Sequence, residues 1–238
     1  MSTSLPEFQR NAVQPVACLK AGWHLIKDQY WLFLGIAFVG VLVGQAVPLG
    51  ILIGPMWCGI YYCLLRRMRG EPVTFDMVFR GFDHFKESLI AALIQIVPVL
   101  ILMTPVYIGL FIFIFSMDRP RGRASGGGLP PDFYAYLTLF IILFLIIFIV
   151  SMVIGAFFIF SFPLIIDRRL SGVEAVKTSF RAVMGNLGGV FGLMFLNVLL
   201  GFAGVLACYI GAFLVLPISF AAIAVAYRRV FPEPSQAL

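Results

Sequence analysis

The chain has 238 residues, of which 61% are hydrophobic and 12% charged, with a formal net charge of +6. Soluble domains carry roughly 45–50% apolar and about 25% charged residues, and a chain this short cannot hide the surplus in a core of its own. The composition excludes a soluble enzyme, a disordered chain and a disulfide scaffold, and it requires lipid as the outward solvent.

No charged residue occurs between Asp28 and Arg66, Glu87 and Asp118, Asp132 and Asp167, or Arg181 and Arg228, intervals of 37, 30, 34 and 46 residues. One span needs ~20 residues. The second and third intervals therefore fit one helix each, with length left for tilt. The first and last suit two helices each, broken near Pro48–Gly50 and near Gly204–Gly211. The prediction is an all-α, polytopic transmembrane bundle, one domain over residues 1–238, with six spans at about 30–47, 50–67, 89–116, 134–164, 187–206 and 209–227. The first apolar block follows a polar, Pro-containing stretch, so the N-terminus is expected to stay attached rather than act as a cleaved signal. Fourteen of the seventeen Lys and Arg residues fall on the side shared by both predicted termini and the 66–88 and 167–186 loops. The positive-inside rule puts that side in the cytoplasm and the 118–132 loop outside. Topology and anionic lipid thus account for the net charge, and no nucleic-acid partner is expected.

Along the chain an amphipathic lead-in, a helical hairpin and an arginine pair recur three times, over about 14–70, 72–170 and 171–230. The lead-ins are anchored on Gly22–Trp23, Gly81–Phe82 and Ser179–Phe180. At offsets −7, −4, 0, +3 and +7 from the aromatic, the residues are Val16, Leu19, Trp23, Ile26 and Tyr30; Phe75, Val78, Phe82, Phe85 and Leu89; and Val173, Val176, Phe180, Val183 and Leu187. All are apolar, at a spacing that paints one helix face, so the lead-ins are expected to lie at the membrane interface. Ser171 with Glu174 fits a capping box, and Pro15 suits a first helical turn. The hairpins close on Arg66–Arg67, Arg168–Arg169 and Arg228–Arg229, and Pro55 and Pro217 each stand eleven residues before their pair. Three such units entering from one side would be parallel repeats, unlike the inverted repeats of many transporters.

Reactive chemistry is sparse. His24 and His84 lack metal-ligand spacing, and Cys18, Cys58, Cys63 and Cys208 form no zinc motif. Neither a metal site nor a cofactor is expected, nor a disulfide. No phosphate loop, nucleophile elbow or metalloprotease motif is present, and no charged residue lies well inside a predicted span, where proton relays and many ion-coupled carriers place one. The intramembrane polar residues are neutral, among them Gln45, Gln95, Thr104, Ser151, Ser161, Asn197 and Ser219. Kinks are expected at Pro98, Pro105, Pro163 and Pro217, and a kink frees carbonyls near a residue such as Gln95.

Several stretches carry a resemblance. They are Ala21–Gly22–Trp23 with Tyr30–Trp31–Leu32, then Leu64–Leu65–Arg66–Arg67–Met68–Arg69–Gly70, and Phe79–Arg80–Gly81–Phe82. Phe162–Pro163–Leu164–Ile165–Ile166–Asp167–Arg168–Arg169 follows, with Glu174–Ala175–Val176, Ser179–Phe180 and Gly185–Asn186. Together they resemble an uncharacterised family of bacterial integral membrane proteins related to the membrane domain of some glycerophosphodiester phosphodiesterases. The resemblance implies a six-span inner-membrane protein with no established activity, and the phosphodiesterase catalytic domain has no counterpart here.

The sequence therefore points to a non-enzymatic multi-pass protein, an accessory or scaffold subunit or a lipid organiser, with membrane lipids and an integral-membrane protein as partners. The expected headgroup contacts are Arg66, Arg67, Arg168, Arg169, Arg228 and Arg229. The alternative is a transporter or channel for a neutral or lipid-like substrate, with Gln45, Gln95 and Asn197 as its intramembrane polar site.

Overall fold

Long runs without charge leave the backbone to satisfy itself, which in lipid selects helices. A computed structural model describes residues 6–47, 50–117, 133–206 and 210–233, and among them every regular element is a helix. In chain order these are α1 (Pro15–Ile26), α2 (Tyr30–Ala46), α3 (Ile53–Met68), a 3-10 segment (Phe75–His84), α4 (Phe85–Met117), α5 (Phe133–Phe157), α6 (Ser161–Arg168), α7 (Gly172–Met184), α8 (Leu187–Leu206) and α9 (Ile210–Val230). Five helical stretches are long and apolar enough to cross a membrane by length and composition: Pro15–Ala46, Phe75–Phe111, Tyr134–Arg168, Leu187–Leu206 and Ile210–Val230. An all-α bundle of membrane-spanning character is the architecture. α3 falls outside those five. At 16 residues it reaches about 24 Å, and ten of its residues are buried.

Local signals act where the sequence places them. Pro15 opens α1, where its missing N–H costs nothing. Ser171 and Glu174 form a capping box at α7: the Glu174 N–H donates to the Ser171 hydroxyl, and the Ser171 N–H donates to the Glu174 carboxylate at 3.2 Å. Two expectations need correction. The second lead-in is a 3-10 helix, whose threefold period buries Val78 and Gly81 while Phe79, Phe82 and Phe85 stay exposed. The fourth span breaks at Phe158–Phe160 rather than kinking at Pro163. Pro163 is instead the third residue of α6, inside the first turn, where no N–H is required. α4 stays helical through Pro98 and Pro105, and α9 through Pro217. The 118–132 loop and the hairpin tips at 48–49 and 207–209 lie outside the described residues.

The chain divides into two compact units, residues 1–94 with 156–238, and residues 95–155. In the first unit, α3 packs against α2, α6, α9 and the 3-10 segment, α1 against α9, and α6 against α7. α3, α6 and α9 meet through aromatic edges: Trp57 lies 5.4 Å from Phe162 and 5.8 Å from Phe220, and Tyr61 lies 5.7 Å from Phe220. Around them Met56, Ile60, Leu64, Leu164, Ala221 and Tyr227 are buried. In the second unit, Val106 and Ile147 are buried, whereas most large apolar side chains are exposed. Phe140, Phe144 and Phe148 form a ladder along α5 with ring centroids 6.3 and 6.4 Å apart.

Candidate functional site

The most organised feature of the first unit is built from the three lead-ins and the second helix of each hairpin. Gly22 of α1 crosses α9 so closely that a Cβ there would sit 2.7 Å from the Ala222 nitrogen. Gly81 of the 3-10 segment crosses α3, where a Cβ would press on the Pro55 carbonyl and the Gly59 backbone. Ser179 of α7 meets the α5–α6 break: its hydroxyl donates to the Phe157 carbonyl at 2.7 Å and accepts from the Phe160 N–H at 3.2 Å. Each lead-in thus docks, through the small residue before its aromatic, on the closing helix of the preceding hairpin, and α1 docks on the last. Counted back from the first arginine of each pair, Gly59, which meets Gly81, and Ala221, which meets Gly22, both stand at seven residues, and Ser161, next to Phe160, has the same spacing. Small residues there allow close backbone approach. Sequence reasoning used the aromatic of each anchor and missed the partner position, although its spacing was visible.

Two junctions also run from one lead-in to the next, second to third and third to first. The Glu87 carboxylate, just past the second, accepts the Gly172 N–H that opens α7 at 2.7 Å. Asn186, just past the third, is buried and fully used. Its oxygen accepts the Ala12 N–H at 2.8 Å, and its amide donates to the Gln9 and Ala182 carbonyls, each at 2.9 Å. The end of the first lead-in is held by α3 instead: Arg67 donates to the Leu25 carbonyl at 3.2 Å and lies 3.7 Å from Asp28.

The arginine pairs split by position. The first members are held by protein groups. Arg66 is paired with Glu71 at 2.9 Å. Arg168 donates to the Pro232 carbonyl at 2.7 Å and lies 3.4 Å from Asp167. Arg228 takes Asp167 in a fork at 2.8 and 3.0 Å and reaches Glu233 at 2.9 Å. Asp167, whose side chain is 8% exposed, also accepts the Tyr227 hydroxyl at 2.7 Å. This hub ties α6 to α9, and the sequence reading did not single it out; its signal was a carboxylate directly before an arginine pair. Glu71 and Glu233 each follow their arginine by five residues. Of the second members, Arg169 is exposed in a left-handed conformation that ends α6, and Arg229 is half-buried.

The three polar residues expected inside the membrane are placed differently from one another. Gln45 is exposed near the end of α2, and Asn197 is half-buried in α8 with its amide oxygen buried and unpartnered. Gln95 is half-buried at the start of the second unit. Thr104 is exposed, and its hydroxyl donates to the Leu100 carbonyl at 2.8 Å. Cys18, Cys58 and Cys63 are buried free thiols, while Cys208 lies outside the described residues. Among the described residues, no three His, Cys, Asp or Glu side chains gather as a metal site. Comparison with protein-family models, curated proteins and solved structures finds no match in any of the three.

Proposed function

We propose that the chain is a non-enzymatic, multi-pass protein of a bacterial inner membrane, an accessory or scaffold subunit that organises lipid around itself. In this reading three parallel units, each an interfacial segment plus a helical hairpin, enter from the cytoplasmic face, where both termini and the arginine pairs lie. The observation that carries it is the aromatic packing of the first unit, where buried Tyr61, Phe162 and Phe220 and half-buried Trp57 fill the meeting of α3, α6 and α9. Apolar side chains such as Trp31, Leu42, Phe202 and Ile210 face outward instead. A protein organised this way works through its outer surface. The cyclic docking of Gly22, Gly81 and Ser179 supports the threefold arrangement. Native mass spectrometry of gently extracted protein tests the proposal. Retained lipid or a co-purifying membrane subunit supports it, and a bare monomer that carries neither refutes it.

The unpartnered amide oxygen of Asn197 favours a second reading, a carrier of a neutral substrate. Uptake into proteoliposomes that Asn197→Leu abolishes without loss of fold would replace the scaffold reading with that one.

A further inference from the structure

The lead-ins have an outer face as regular as their inner one. At steps of four, three and four residues it reads Val16, Lys20, Trp23 and Lys27 on the first, and Val173, Lys177, Phe180 and Met184 on the third. On the second, whose 3-10 turn repeats every three residues, Phe79, Phe82 and Phe85 line the exposed side and Lys86 follows in the first turn of α4. Every one of these residues is exposed, while Gly22, Gly81 and Ser179 beside the aromatics are buried. On the second the exposed Asp76 shares the side of Phe79 and Phe82, while on the first and third lead-ins apolar groups point outward next to cations. This is the pattern of a helix lying in a headgroup layer, with lysine stems along the apolar surface and ammonium groups lifted to phosphate.

Charge balance strengthens the assignment. Most described carboxylates are taken up within the protein: Asp28 by Arg67, Glu71 by Arg66 and Arg69, and Asp83 by Arg80. Asp167 and Glu233 serve Arg228, while Glu87 and Glu174 serve backbone N–H groups at the start of α7. None comes within ion-pair distance of Lys20, Lys27, Lys86 or Lys177 among the described residues. Conversely, the first arginine of every pair is already held by protein groups.

We infer that anionic phospholipid is bound by the outer faces of the lead-ins, through Lys20, Lys27, Lys86 and Lys177, and not by the leading arginines of the pairs. The inference rests on the membrane-scaffold reading, since it needs the lead-ins at an interface. The test reconstitutes the full chain in nanodiscs of equal parts phosphatidylcholine and phosphatidylglycerol and weighs the retained lipids by native mass spectrometry. Lys→Gln at all four positions is expected to erase the preference for phosphatidylglycerol, at about fivefold per lysine, and Lys→Arg is expected to keep it. Unchanged preference in the glutamine variant, with an unchanged circular-dichroism spectrum, overturns the inference. A parallel arm keeps Trp23 as the only tryptophan, through Trp31→Phe and Trp57→Phe, and adds brominated lipid. Quenching of Trp23 together with unaltered phosphatidylglycerol preference refutes the lysine assignment alone. Absence of quenching refutes both this inference and the scaffold reading.

Discussion

Twenty residues separate Phe144 in α5 from Leu164 in α6, and both lie in one charge-free run. Leu164 is 0% exposed and Phe144 45%. Composition does not distinguish their surroundings; the neighbouring chain does. In the first unit the apolar helices are crossed by lead-ins and held by polar ties, so Leu64, Leu164 and Tyr227 are enclosed by protein. In the second, Tyr107, Leu139 and Ile149 have little protein about them. Where the surrounding solvent is itself apolar, hydrophobicity does not draw helices together, and close packing and hydrogen bonds must do so. The first unit has those devices at Gly22, Gly81, Ser179 and Asp167. The second has a phenylalanine ladder along α5.

The largest way to break that contrast is to remove the polar hub. Asp167 compensates Arg228, whose side chain is only 14% exposed, and accepts Tyr227 as well. Asp167→Ala leaves a guanidinium with little water and no local carboxylate except Glu233. Loss of one partner of a buried pair costs about 3–5 kcal/mol. The expected result is a strongly lowered unfolding midpoint in detergent, with Asp167→Asn intermediate because it keeps an acceptor for Tyr227. A midpoint equal to the unaltered chain would show that the first unit does not depend on the α6–α9 tie.

The sequence makes some of this organisation readable. Charge-free runs, divided at Pro48–Gly50 and Gly204–Gly211, locate α2, α8 and α9 to within a few residues. The capping box at Ser171 and the proline at the start of α1 are local chemistry, and both were legible. Burial was not. The apolar offsets of the lead-ins read as a single face, yet Trp23 and Phe180 point outward while Ile26 and Val183 are buried. Polarity cannot tell the core from lipid, because both accept the same side chains. Only the small residue beside each aromatic marks the inner side. The break at Phe158–Phe160 was equally hidden: it carries no glycine or proline, and it is stabilised by Ser179 from another helix. The leading arginines looked available for headgroups, since their partners Glu71 and Glu233 become visible only when spacing is compared between pairs.

A smaller effect probes the capping of α7 within the first unit. Ser171→Ala removes the hydroxyl half of the capping box, leaves the backbone N–H to Glu174 in place, and is expected to cost about 1 kcal/mol. The Ser171 hydroxyl, and then its N–H, hold Glu174 below the ordinary carboxylate range. A carboxylate lowered in the folded state binds protons more readily when unfolded, so its contribution is present above the unfolded value of about 4.3. It is lost as pH falls through the lower folded value. The midpoint difference between the unaltered chain and Ser171→Ala should therefore narrow on acidification below about pH 4. A constant difference across that window would assign the cap to the hydroxyl alone.

The smallest expected effect is the one that sharpens the comparison most. Phe144→Ala removes a large side chain from the middle of the α5 ladder, where it is flanked by Phe140 and Phe148. Truncating an enclosed Phe costs about 3–5 kcal/mol. A residue this exposed should instead shift stability by no more than about 0.5 kcal/mol, because lipid replaces what is lost and no cavity is left behind. Unfolding in mixed micelles measures the change directly. A cost in the range of an enclosed phenylalanine would mean that α5 is covered by protein in the membrane. Cross-linking from a cysteine placed at Phe148 would then identify what covers it. A near-zero shift makes α5 a helix whose neighbours at Phe144 are acyl chains, held by its own hydrogen bonds and ladder contacts rather than by a buried core.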